Sequence, residues 1–167
     1  MRGDIGERTV MVIREAQIPD ELPLVRLLFR KYADGLGIDL CFQDFEAELA
    51  GLPGRYARPE GGIWLAFLGS EVAGCVAIRR LEPETCEMKR LYVRSMFRGH
   101  GLGHQLAEQA LAEALDAGYK RIFLDTLHSM ADAIRLYQFL GFTPIAPYCQ
   151  NPIPGALFFG KNLDPAN

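Results

Sequence analysis

The chain has little with which to hold a metal, a membrane or a nucleic acid. Among 167 residues there are three histidines, four cysteines and a single tryptophan. His100, His104 and His128 make no ligand set: His100 and His104 stand four apart, but no acid or cysteine completes a motif with them. Cys41, Cys75, Cys86 and Cys149 are scattered without a C-x-x-C pair, so they read as reduced thiols of a cytoplasmic protein, and no metal is expected. The net charge is only −3, which supplies no broad basic field for nucleic acid or an anionic membrane. A local basic cluster that takes a small anion stays open. The longest apolar runs, such as IWLAFLG, fall far short of the ~20 residues of a membrane helix. The opening MRGDIGERTV lacks the apolar stretch of a secretory signal, and residues 1–9 read as a flexible tail.

What is present is one domain's worth of chain, 49% apolar and 23% charged. VMVIREA (10–16) reads as a strand. A helical period at Leu24, Leu27, Leu28 and Tyr32 follows, with Asp20 as its N-cap and Gly35 as its stop. FQDFEAEL (42–49) reads as a second, short helix, and GRYARPEGG (54–62) as a loop. IWLAFLG and EVAGCVAIRRL form a hairpin about Gly69-Ser70, and TCEMKRLYV (85–93) is the next strand. From Leu102, a stripe of Leu106, Ala110, Leu111, Ala114 and Leu115 marks a helix closed by Gly118. KRIFLDT is a strand, MADAIRLYQFL a helix, and FTPIAPY and ALFFGKNL are two final strands. The order β-αα-βββ-α-β-α-ββ describes an α+β or α/β domain on a mixed sheet.

RGHGLGHQL (98–106) interrupts this pattern with three glycines in five positions. They serve either a tight turn or a ligand that approaches the backbone with no Cβ in the way. The stretch joins a strand to a helix N-terminus, where free N–H groups and about half a positive charge favour phosphate. A dinucleotide fingerprint would need glycine at His104, and a P-loop would need a lysine and a hydroxyl that are not there. What remains is Arg98-x-x-Gly101-x-Gly103, with Gly99 in addition.

That pattern, in this order of elements, resembles the pyrophosphate loop of the GNAT superfamily of acyl-CoA-dependent N-acetyltransferases. IREAQIPDELPLVRLL is similar to the family's opening strand and helix. ADAIRLYQFLGF is similar to its later Ala-x-x-x-Tyr-x-x-x-Gly-Phe helix end. The resemblance implies a single N-acetyltransferase domain over 10–167, with a central mixed, mostly antiparallel sheet flanked by helices. It implies acetyl-CoA as cosubstrate. Leu91, Tyr92, Val93, Arg98, Gly99, His100, Gly101, Leu102, Gly103 and His104 are its expected contacts, although each histidine also suits a solvated loop. Many members carry an asparagine where this chain has Met130, so one polar contact is missing or falls to Ser129.

Acetyl transfer from a thioester to an amine poses two proton problems. An alkylammonium of pKa near ~10 is almost wholly protonated at neutral pH and must lose its proton. The departing thiolate needs an acid. The resemblance implies Glu87 as the base, acting through water, and Tyr137 as the acid. Read as residues alone, Glu87 also suits a salt bridge with Lys89 or an arginine, and Tyr137 a core aromatic. An acetyl-cysteine route through Cys86 is disfavoured, because strand alternation turns Cys86 and Glu87 to opposite faces.

For the acceptor, the loops LPGRYARPEGG and PYCQNPIPGA are the expected walls. Arg55, Tyr56, Arg58 and Tyr148 are candidates for holding an amine that carries a carboxylate, or are ordinary loop residues. The expected partners are a small-molecule or protein amine acceptor, with no nucleic acid and no membrane; a homodimer is compatible with the sequence. Two functions stand: an N-acetyltransferase by direct attack, or a non-catalytic acyl-CoA-binding module on the same fold.

Overall fold

The computed structural model describes residues 10–37 and 44–164. The expectations for residues 1–9, for Cys41 and for the start of the second helix at 42–43 lie outside them. The first strand, β1 (Met11–Glu15), leads into α1 (Leu22–Leu36) and α2 (Phe45–Ala50). Three antiparallel strands follow: β2 (Gly62–Leu68), β3 (Glu71–Glu82) and β4 (Thr85–Val93). Then come α3 (Leu102–Asp116), β5 (Arg121–Leu127), α4 (Ala131–Phe139), β6 (Thr143–Pro144) and β7 (Ala156–Asn162). The sheet runs β1-β2-β3-β4-β5-β7-β6, and of its neighbouring pairs only β4 and β5 lie parallel. The α+β fold read from the sequence is the one found.

Period-2 alternation in the strands builds one core on each face of the sheet. Trp64, Ala66, Val76, Ile78, Cys86 and Met88 point to the face covered by α3 and α4. Ile63, Leu65, Cys75 and Ala77 point to the face covered by α1 and α2. No helix among the described residues is long and apolar enough to cross a membrane.

Several boundaries differ from expectation for identifiable reasons. Glu21, not Asp20, precedes α1, and its carboxylate takes a bidentate pair from Arg14 and the N–H of Gln17, which ties the helix to β1. The helix runs through Gly35 to Leu36 and ends at Gly37, whose φ of 66° supplies the left-handed turn. Its core face is Val25, Leu28 and Phe29, while Leu27 is 43% exposed. In α3 the buried stripe includes Ala107 and leaves Leu115 exposed. The strand expected over 142–148 shrinks to Thr143–Pro144, since Pro144 and Pro147 bring no N–H to a ladder.

Gly74, opposite Val93, allows the closest approach of β3 to β4. A Cβ there would collide with the Tyr92 carbonyl and press on the Leu106 side chain. Gly74→Ala is expected to cost about 1–3 kcal/mol, as overpacking does. Thermal denaturation should register it at about 2–4 °C per kcal/mol for a chain of this size. An unchanged melt would contradict this apposition.

Candidate active site

The site begins where the sheet comes apart. β4 pairs with β5 only through Thr85–Glu87 against Arg121–Phe123. Beyond that point β4 keeps only β3, and β5 keeps only β7, so the backbone of β4 from Met88 to Val93 has no β5 partner. A register shift opposite Cys75–Ala77 bends β4 here, and Arg90 takes a φ of 61°. A left-handed arginine is strained by roughly 1–2 kcal/mol. Its guanidinium is anchored by Glu48 of α2 at 3.0 Å and lies against the rings of Tyr32 and Phe45. The bulge breaks the alternation, so Glu87, Lys89 and Arg90 all serve the α1/α2 face.

A cleft of about 540 Å³ opens between β4, the glycine loop and α4, and Tyr32, Gly35 and Leu36 at the end of α1 border it too. Leu91, Tyr92, Val93, Arg98, Gly99, Gly101, Leu102 and Gly103 line one side; Ser129, Met130, Leu136 and Tyr137 line the other. Gly101 precedes α3 with a φ of 78°, a conformation that a side chain would strain. Gly103 lies within the first helical turn with no such need; a Cβ there would meet Leu136 and Val93 at an ordinary 3.8 Å and stand in the cleft. The unpaired N–H groups of the α3 N-terminus and Arg98 give this mouth a positive character suited to a diphosphate. Arg98 also donates from Nε to the Val93 carbonyl at 3.0 Å, which fastens the loop to β4.

The two loop histidines do not line this cleft. His100 is exposed, and His104 lies 3.4 Å from Glu108 with its ring against Phe139.

The splay connects the two faces. A narrow opening between the strands is lined by Met88, Leu124 and Tyr137 of the α3/α4 side and by Tyr32, Lys89 and Asp125 of the α1/α2 side. Tyr137 is buried against Phe142 and Phe159, and burial raises its phenol well above the ordinary value. The hydroxyl therefore keeps its proton, and it makes no hydrogen bond among the described residues.

Glu87 is 2% exposed and occupied on both oxygens. Arg79 Nε donates to Oε1 at 2.9 Å, and the Tyr148 hydroxyl donates to Oε2 at 2.5 Å. Burial opposes its charge, but Lys89 and Arg79 beside it, with these hydrogen bonds, hold the carboxyl below the usual range. Its neighbour Cys86 is buried in the opposite core, and burial pushes that thiol up to about 12, unsuited to nucleophilic work.

Of the expected acceptor residues, only Tyr148 belongs to this cluster. Arg55 donates to the Arg80 carbonyl. The buried Tyr56 donates to Glu48. Arg58 pairs with Glu15 and Glu113 over the Trp64 ring, away from the cleft. The salt bridge of Glu87 with Lys89 or an arginine, one of the two readings of that residue, is present with both Lys89 and Arg79. The residues that sequence reasoning missed are Asp125 and Asn151. Asp125 was visible as a lone acid inside the apolar strand RIFLDTL.

A cleft whose mouth suits a diphosphate, leading to an opening through a splayed sheet, has the shape to take a coenzyme A thioester. The model of the acetyltransferase (GNAT) family matches residues 26–142, and the chain belongs to that family. An uncharacterized N-acetyltransferase of Schizosaccharomyces pombe is 37% identical over 148 residues, 87% of this chain and 91% of that one. The crystal structure of an acetyltransferase from Streptococcus agalactiae matches with a TM-score of 0.75 at 22% identity, covering 92% of this chain and 98% of that chain. A putative acetyltransferase of Salmonella typhimurium, solved with acetyl-CoA, matches at 0.70 and 21% identity over 93% of this chain and 95% of its own. The chain is an acetyl-CoA-dependent N-acetyltransferase, the enzyme rather than the binding module of the two functions left open by the sequence.

Gly103→Val puts two methyl groups into the cleft without a backbone penalty. Acetyl-CoA affinity is expected to fall about tenfold or more, or 1.4 kcal/mol, with little change in melting temperature. Calorimetric titration giving wild-type affinity would separate the glycine loop from the cosubstrate site.

Proposed function

We propose that acetyl-CoA enters from the α3/α4 face and the acceptor amine from the α1/α2 face, and that they meet in the opening between β4 and β5. The observation that carries this reading is the opening itself, which Tyr137 borders from one side and Lys89 and Asp125 from the other. Arg98, Gly99, Gly101 and Gly103 would hold the diphosphate, and Leu91 and Val93 the pantetheine arm. When bound, acetyl-CoA supplies an acetyl thioester, which the amine attacks directly. Tyr137, kept protonated by burial, donates its proton toward the departing sulfur. Backbone N–H groups that β4 does not share with β5 are free to polarise a carbonyl.

The proton leaving the amine passes, in this reading, to Asp125 rather than to Glu87. Both oxygens of Glu87 are taken and its two cationic neighbours make it a poor proton acceptor. Glu87 instead holds Arg79, Lys89 and Tyr148 in place. Reducing conditions such as those of the cytoplasm agree with the free thiols of Cys75, Cys86 and Cys149.

Tyr137→Phe is expected to lower kcat by about 10²–10⁴-fold, the range of general acid catalysis. Acetyl-CoA affinity and melting temperature should stay close to wild type, because the ring keeps its packing. Near-wild-type turnover would reduce Tyr137 to a core aromatic.

Asp125→Asn and Glu87→Gln separate the two carboxylates. The asparagine variant should lose kcat most at neutral pH and recover at high pH, where free amine is plentiful. The glutamine variant should keep the shape of the pH–rate profile and lose stability instead. Because the folded-state pKa of Glu87 is lowered, its contribution is complete above the unfolded carboxyl value, near ~4.3. It drains away as pH falls through the lowered folded value, so the stability gap between wild type and Glu87→Gln should close in acid. A pH–rate profile altered in Glu87→Gln and unaltered in Asp125→Asn would return the base to Glu87.

A further inference from the structure

The α1/α2 face of the opening carries a lysine whose ammonium is held by two long ion pairs and by no shorter hydrogen bond among the described residues. This residue, Lys89, is 8% exposed at its side chain. Asp125 Oδ1 stands 3.5 Å away and Glu87 Oε2 3.9 Å away. An ammonium so placed has three donors, and carboxylates at 3.5 and 3.9 Å leave it room for a further acceptor. Asp125 is similarly held back: Asn151 Nδ2 donates to its Oδ2 at 3.2 Å, and Oδ1 faces only the loose lysine. Both residues border the pocket entered from this face, together with Tyr32, Arg90 and Asn151.

We propose that this Lys89–Asp125 pair is the recognition site for the zwitterionic head of a free α-amino acid, which is the acceptor. The inference rests on the transferase reading given above and adds the substrate class. An α-amino acid presents an ammonium and a carboxylate on adjacent carbons, a few ångströms apart. The protein presents a carboxylate and an ammonium at 3.5 Å, the complementary arrangement at matching scale. The acceptor's carboxylate takes the donors of Lys89, and its ammonium takes Asp125 Oδ1, the group that then receives the proton. Glu87 contributes by standing behind Lys89, so that the lysine is held without being neutralised by a tight pair. A simple amine offers the ammonium but no acceptor for Lys89, and the amino terminus of a protein offers only a neutral carbonyl, so both forgo the charge-assisted contact.

The test uses the full chain with acetyl-CoA and reads released thiol. The acceptors are the twenty L-α-amino acids, each beside its α-amide and the amine obtained by removing its carboxyl group. The expected result is turnover on one or more amino acids, with KM about tenfold or more higher for the matching amide and amine, the scale of one lost charge-assisted contact. Lys89→Met should raise KM for the amino acid by a similar factor and raise KM for the amide by clearly less. Lys89→Arg should restore part of the loss. Equal KM for amino acid and amide in the wild type overturns the proposal, and so does an equal rise for both in a folded Lys89→Met. Turnover on simple amines or peptides alone leaves a transferase whose acceptor is not a zwitterion. Tight binding of acetyl-CoA with no amino acid acetylated also refutes it. Loss of acetyl-CoA binding in the wild type would strike the transferase reading instead.

Discussion

Parallel pairing between β4 and β5 stops after three residues on each strand, and the working parts of this protein are arranged around that stop. Two strands that diverge within a sheet leave backbone donors and acceptors unpaired, a cost of about 1–3 kcal/mol for each buried group without a partner. Here the cost is borne at one place, and both neighbouring pairings continue past it: β3 holds β4 to Val93 across the bulge, and β7 holds β5 to Leu127. The gap is thus rigid on both sides. It lies between the large cleft and the smaller pocket that Lys89 and Asp125 line, and Tyr32, Leu36 and Met130 border both.

Much of this was legible in the sequence because it rests on local chemistry. Alternation gave the strands, and the glycine loop before an apolar helical stripe located the cleft's mouth. Gly101 needed a positive φ, and Gly103 an open face of the helix; both needs leave the same letter in the sequence. The tyrosine at 137 sat in a recognisable helix end. What stayed hidden were relations between residues far apart. The Arg79–Glu87 pair needs the β3–β4 register, and the Tyr148–Glu87 bond spans 61 positions. The bulge at Arg90 has no sequence signal of its own, since arginine is not a residue that announces a left-handed φ. Arg55, Tyr56 and Arg58 misled for the related reason that a polar loop carries no mark of which way its side chains turn.

The bulge also decides the electrostatics. Regular alternation would send Arg90 into the apolar core with Met88; the left-handed turn sends it to Glu48 instead. One face of β4 therefore collects Glu87, Lys89 and Arg90 in succession, with Arg79 from β3, Glu48 from α2 and Asp125 from β5 around them. Three cations and three carboxylates balance, so no net charge is buried. Glu48 and Glu87 satisfy Arg90 and Arg79 with hydrogen bonds at 2.9–3.2 Å. Lys89 alone among the three cations is held only by long pairs, to Asp125 at 3.5 Å and Glu87 at 3.9 Å.

That unevenness is informative. Buried ion pairs are often no more stabilising than apolar side chains of the same volume, so a fold with stability as its sole demand has no use for six charges beside its core. Where such groups persist and are tightly paired, they fix positions: Arg79 and Glu87 set the lower edge of the opening, and Arg90 with Glu48 sets the bulge. Lys89 and Asp125, the more loosely paired of the six, border the opening. Local rules of packing and pairing fail at functional sites more than elsewhere. In this protein the irregularities lie at three adjoining places, the end of β4–β5 pairing, the left-handed Arg90 and the long ion pairs of Lys89. All three border the same few ångströms of open sheet.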